Sequence, residues 1–222
     1  MGKQVYEEDT RQAEPIEQNM DQIPEKPEKE GICYLMVDGS AVNTRQKGEK
    51  GSTWKENKLG MVFTREDLRT RKDGITQDIQ KKEYGSYIGP AEEFKKYLLE
   101  RAVRKGYGWN EKTILLSDGA AWIRNMGEEL FPDALQIRDF YHVAEHLYSF
   151  GKYLFGGDEA RYTPWAEELI GLLRESKPGE VLKRLEGYKD RKLPPGTVNP
   201  YTYMQHNRNK VDYGEYKRQG TI

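Results

Sequence analysis

The sequence predicts an α/β fold: a mixed five-stranded sheet with flanking helices, extended on its C-terminal side by helices alone. Three features predict it. Residues 32–37 and 113–117 are apolar runs of strand length, and each runs into an Asp-Gly pair, at Asp38 and at Asp118. Helical spacings alternate with further strand-like runs up to about residue 156, and beyond it only helical patterns remain.

Taken in order, Ile-Cys-Tyr-Leu-Met-Val at 32–37 is apolar throughout, as a strand buried on both faces must be, and Asp38-Gly39 is expected to end it in a turn. Residues 59–64 and 84–88 are β-branched, aromatic and bounded by Gly and charge, which predicts two more strands and an antiparallel meander. Pro90, Glu92 and Glu93 open a helix. Its Phe94, Tyr97, Leu98 and Ala102 recur at helical spacing, and Arg101, Arg104, Lys105 and Gly106 close it, with charges placed to suit the macrodipole. Residues 113–117 are the fourth strand, 121–131 a helix stopped by Pro132, and 134–137 the fifth strand. Asp139 opens a helix through about 155. Helices at 164–176, with Thr163 as cap and Pro164 in the first turn, and at 178–187 follow, then a basic, Tyr-rich stretch over 201–219. The order βββ-α-β-α-β-α is the ribonuclease H-like one, in which the first and fourth strands lie side by side.

Charge divides the chain in the same way. The total of 36 Lys plus Arg against 37 Asp plus Glu hides a segment, 1–30, with four bases and nine acids, which predicts an acidic linker. The expected domains are that linker, a core at 31–156, and a helical, basic segment at 157–222. The longest apolar run, 32–37, is far short of the ~20 residues that span a bilayer, and no secretory signal is present, so no membrane partner is expected. The single Cys33 excludes an internal disulfide and fits a cytoplasmic location.

With strands one and four parallel and adjacent, Asp38 and Asp118 reach the carboxyl edge of the sheet, where open α/β sheets place ligands. Strand axes ~5 Å apart would let two carboxylates share hard divalent cations through oxygen. Two such ions ~3.5–4 Å apart can activate an attacking oxygen and stabilise a leaving one in phosphoryl transfer.

Specific blocks sharpen this. Ser117-Asp-Gly-Ala-Ala-Trp-Ile123, Leu130-Phe-Pro-Asp-Ala134, Gln136-Ile137 and Asp139-Phe-Tyr-His-Val-Ala-Glu-His-Leu147 resemble the Kra-type insertion-sequence transposases of the DDE superfamily. Met36-Val-Asp-Gly-Ser40 and Trp54-Lys-Glu-Asn-Lys-Leu-Gly-Met-Val-Phe63 resemble the same family's first strand and second-strand block, so the likeness covers roughly residues 32–185. The resemblance implies a ribonuclease H-like catalytic domain that cuts and rejoins DNA with two Mg²⁺ or Mn²⁺ ions. Its metal ligands would be Asp38 and Asp118, and its partners transposon-end and target DNA. It also implies a homo-oligomer on DNA and a nucleoid-associated, cytoplasmic location. Asp139 and His142 sit where related families carry an Asp/Cys-x-x-His pair just after the fifth strand, with an N-cap as the alternative for Asp139; His142, Glu145 and His146 lie within a turn of each other and can face one way, in a supporting or structural role. The third catalytic acid, a Glu beyond the helical insertion, is not matched, and the chain is expected to be incomplete at both ends and inactive in strand transfer alone.

Two other readings remain at this stage. His142-Val-Ala-Glu145-His146 also fits H-x-x-E-H, a zinc-hydrolase pattern that needs a third ligand. A non-catalytic relative would only bind DNA, through Arg45, Lys47, Lys50 and Lys55 on the loop after the first strand and through Arg208, Lys210, Lys217 and Arg218. Tyr188, Tyr201, Tyr203, Tyr213 and Tyr216 are interleaved with the second group and would stack on bases.

Overall fold

The structure is a computed structural model that describes residues 31–44, 53–74, 76–110 and 112–222. The expected acidic linker and the candidate DNA contacts Arg45, Lys47 and Lys50 lie outside the described residues. The chain forms two compact units, one ending at Gln136 and one beginning at Ile137.

In the first unit, β1 (Ile32–Thr44) pairs antiparallel with β2 (Thr53–Thr64) and parallel with β6 (Lys112–Ser117), while β2 pairs antiparallel with β5 (Glu83–Ile88). With β7 (Leu135–Arg138) the sheet order is β5-β2-β1-β6-β7, a mixed five-stranded sheet with β1 beside β6. The division between units falls within β7, whereas the sequence places one at 156–157. One sheet face is built from alternate residues Cys33, Leu35, Val37, Val62 and Leu115. Helix α1 (Ala91–Arg104) covers it with Phe94, Leu98 and Ala102, and α2 (Ala121–Leu130) with Ile123 and Met126. Burying each large side chain of this kind contributes about 1.5–3 kcal/mol. Gly60 permits the close approach of α1, because a Cβ there would lie 2.9 Å from both Leu98 and Phe94. Lys95, 8% exposed, ties α1 to α2 by donating to Glu92 at 2.7 Å and to Glu129 at 2.5 Å.

Three expectations are corrected here. First, β1 does not stop at Asp38-Gly39. It continues to Thr44 in a ladder with β2 that closes at Thr44↔Thr53, so Lys55 lies on a strand rather than on a loop. This extension is wet on both faces, so no apolar alternation announces it, and main-chain pairing with β-branched Val42, Thr44 and Thr53 carries it. Second, a small hairpin of β3 (Leu68–Thr70) and β4 (Gln77–Ile79) intervenes before β5. Asp73 shapes its turn by accepting from the Thr76 N–H at 2.8 Å, and Arg71 pairs with Asp78 across it.

The third concerns the second unit, which contains α3 (Phe140–Leu154), α4 (Glu159–Arg174), α5 (Pro178–Leu185), α6 (Pro200–Asn207) and α7 (Tyr213–Arg218). Helix α4 begins before its expected cap, Thr163, and holds Pro164 inside. Trp165 packs on Phe150 and Phe155, at 5.9 and 6.1 Å between ring centroids, and Arg161 lies over Phe155. These contacts offset the bond that Pro164 cannot donate. Val143, Leu147, Phe150, Leu169, Leu173, Val181 and Leu185 form the buried interior. Arg138, 2% exposed, donates to Asn207 Oδ1 at 2.6 Å, and its carbonyl accepts from the Tyr213 hydroxyl at 3.0 Å. Among the described residues no helix is long and apolar enough to cross a membrane.

Candidate metal centre

The parallel ladder between β1 and β6 runs from Ile32↔Lys112 to Val37↔Ser117 and ends there. Asp38 is the next residue on β1 and Asp118 the residue that follows the end of β6, so both stand one residue past the last paired level at the carboxyl edge of the parallel pair, where neighbouring strand axes lie ~4.8 Å apart. Val37 and Ser117 are each 3% exposed, whereas Asp38 is exposed and Asp118 half-buried, so the chain emerges from the core at the two carboxylates. Each aspartate is held by its own backbone. Asp38 Oδ1 accepts from the Gly39 N–H at 2.8 Å, and Asp118 Oδ1 accepts from the Ala120 N–H at 2.8 Å. The second bond closes a turn that Gly119 makes possible with φ of +97° and that leads directly into α2.

Three side chains stand beside this edge. Glu56 and Lys58 alternate on β2 and so share one face, opposite Ala41 and Gly39 of β1. Lys58, only 6% exposed, donates to Glu56 Oε2 at 2.9 Å and to the Gly89 carbonyl at 2.8 Å, and its ammonium lies 5.4 Å from the centre of the Trp122 ring. Trp122 donates its indole N–H to Glu56 Oε1 at 3.1 Å. Trp122, Glu56 and Lys58 carry no assigned role in the sequence beyond the blocks that contain them. The spacing of two residues between Glu56 and Lys58 was the available signal.

Carboxylates at this edge are oxygen donors of the kind a hard divalent cation takes, and ordered water could complete its octahedron. Among the described residues no group of three or more His, Cys, Asp or Glu is arranged to hold a metal ion, so any ion here would rest on the two carboxylates of Asp38 and Asp118 and on water.

The second unit brings other candidates together differently. Asp139 is the N-cap of α3, its Oδ1 accepting from the His142 N–H at 2.8 Å. His142 and His146 meet edge to face at 4.3 Å, and His146 meets Tyr203 at 4.6 Å, while His142 Nδ1 lies 3.9 Å from Glu145. The zinc reading of His142, Glu145 and His146 lacks its third ligand among the described residues. Acids of this unit are engaged with neighbours: Glu168 with Arg184, Glu175 with Lys177, Glu180 with Lys183 and Glu215 with Arg218. Of the basic candidates, Arg208 and Lys217 are exposed and Lys210 is half-buried. Arg218 is tied to Glu215 and donates to Ser176 Oγ at 2.8 Å. Tyr213 and Tyr216 are each 6% exposed and cannot stack on bases, and burial raises both hydroxyl pKa values, that of Tyr216 to about 12.

No family model matches the chain, and no curated protein matches it.

Proposed function

We propose that the chain carries the first two carboxylates of a ribonuclease H-like, metal-dependent polynucleotidyl transferase. More particularly, it is a Kra-type insertion-sequence transposase domain acting on transposon-end and target DNA. One observation carries the reading: the β1–β6 ladder ends at Val37↔Ser117, and the residue that follows on each side is an aspartate, Asp38 still on β1 and Asp118 just past β6. Asp38 and Asp118 would hold Mg²⁺ or Mn²⁺. Such an ion, when bound, polarises a phosphoryl oxygen and lowers the pKa of an attacking water. The chain's own contribution is to fix Asp38 on β1 and Asp118 at the end of the neighbouring β6, to leave Asp38 open to a phosphodiester, and to orient Asp118 through its bond from the Ala120 N–H. Exposed Lys55 on the wet hairpin of β1 and β2 supplies a salt-dependent phosphate contact on the same unit.

Calorimetric titration with Mn²⁺, paired with nicking of supercoiled plasmid in Mn²⁺, tests the proposal. The expected result is Mn²⁺ binding lost in both Asp38→Asn and Asp118→Asn, with weak nicking lost alongside. Binding that survives both substitutions, or no binding at millimolar Mn²⁺, overturns it. DNA binding without Mn²⁺ binding would favour the non-catalytic reading instead.

A further inference from the structure

We infer that Glu56 is a positioning residue for the Asp38 and Asp118 pair, acting by tying the residue after Asp38 to the helix after Asp118; this rests on the function proposed above. The ladder between β1 and β6 ends at Val37↔Ser117, one residue before the two aspartates. The turn at Asp118 leads straight into α2, so its orientation follows the first turn of that helix. Trp122, the second residue of α2, is held from two sides. Its indole N–H bonds Glu56 Oε1 at 3.1 Å, and its ring sits edge-on to Phe94 at 5.9 Å. The other carboxylate oxygen of Glu56 takes the ammonium of Lys58, whose second bond to the Gly89 carbonyl fixes it in turn. On its far side Glu56 meets β1, where a Cβ added at Gly39 would lie 2.9 Å from Oε1. One carboxylate thus lies against the neighbour of Asp38 and bonds the helix that follows Asp118.

Stability alone does not account for this arrangement. The Glu56 side chain is 47% exposed, and its buried partner Lys58 keeps the Gly89 carbonyl as acceptor when Glu56 is removed, so the ion pair explains one oxygen of Glu56 and not the other. The oxygen turned to Trp122 and Gly39 spans both halves of the site and acts through geometry.

The test measures Mn²⁺ affinity by electron paramagnetic resonance alongside melting temperature, in the full chain. Glu56→Ala and Trp122→Phe should weaken Mn²⁺ binding about tenfold, the lower end of the effect of outer-shell partners, with a smaller loss of melting temperature than Val62→Ala. Gly39→Ala, which displaces the Glu56 carboxylate, should match them. Glu56→Gln keeps an oxygen acceptor for Trp122 and should bind within about threefold of wild type by the same scale. Val62→Ala, a core change, should lower the melting temperature without weakening binding. Wild-type affinity in Glu56→Ala and Trp122→Phe, or equal weakening in Val62→Ala, overturns the inference. Absence of Asp38- and Asp118-dependent binding in the wild type overturns the proposed function, and the positioning role with it.

Discussion

Replacing Asp67 with alanine should cost the first unit about 2–3 kcal/mol at neutral pH, a magnitude set by lost charge-assisted hydrogen bonds, and the cost should fade in acid. Asp67 is 9% exposed, and its Oδ2 accepts from the Thr64 N–H at 2.8 Å, the Thr64 hydroxyl at 3.0 Å and Lys105 Nζ at 3.0 Å. The Thr64 bonds cap the short 3₁₀ turn at Arg65–Asp67, worth about 0.5–2 kcal/mol. The ion pair joins that turn to the end of α1, with side chains 17% and 10% exposed. It contributes about 1.5 kcal/mol after allowing for the bond that Lys105 keeps to the Lys81 carbonyl. Burial works against ionisation of Asp67, but the bonds from Thr64 and Lys105 outweigh it and hold the carboxyl below its ordinary range. The folded-state pKa is therefore depressed. The associated stability is fully present above the unfolded value of about 3.9 and is lost as pH falls through the lower folded value. Denaturant unfolding of wild type and Asp67→Ala, followed by tryptophan fluorescence, should give a constant gap between about pH 7 and pH 5. The gap should narrow below about pH 4. A gap under about 0.5 kcal/mol at pH 7, too small for a buried charged bond, would refute the reasoning. So would a gap that does not shrink at the acid end.

Two further outcomes concern the same unit. Cys33 is 0% exposed, and burial pushes its thiol up to about 12, so a disulfide reagent at mildly alkaline pH should label it only at the rate of global unfolding; fast labelling of the native chain would contradict that. Gly127→Ala should lose about 1 kcal/mol, because overpacking of about 1–3 kcal/mol exceeds a helix-propensity gain of about 1 kcal/mol. The new Cβ would lie 2.6 Å from Leu115 Cδ2. Shortening Leu115 to Val should relieve the clash, giving a favourable coupling in a double-mutant cycle of about 1 kcal/mol; additive effects would refute the contact as the cause.

Much of the sheet was legible because burial on both faces leaves a sequence signature. The runs at 32–37 and 113–117 became β1 and β6, side by side. What escaped notice had no such signature. The hairpin extension of β1 and β2 is wet on both faces, the strands β3 and β4 are three residues each, and Pro164 reads locally as a helix start. Only the packing of Trp165 and Arg161 on Phe155 shows that α4 begins earlier. The tyrosines of 201–219 look like a stacking surface in sequence, yet Tyr213 is drawn inward by the carbonyl of Arg138, which is far away along the chain. Periodicity cannot express a bond of that kind.

The Asp38-Gly39 pair has a different structural basis from the one its sequence suggests. In sequence the glycine reads as a turn and the aspartate as a strand end. In the fold both are paired within β1, Asp38 with Leu59 and Gly39 with Lys58. Gly39 has an ordinary backbone conformation, so a left-handed turn does not explain it. The explanation lies across the strand pair, where the Glu56 carboxylate occupies the space a side chain would need. A glycine that permits a close approach and a glycine that permits a turn look identical in sequence. The close approach sets Glu56, with Lys58 and Trp122 bonded to it, beside Gly39, the residue after Asp38. The Trp54-Lys-Glu-Asn-Lys block and the Asp-Gly-Ala-Ala-Trp block, recognised separately in the sequence, are in the fold two sides of one contact, the hydrogen bond from Trp122 to Glu56.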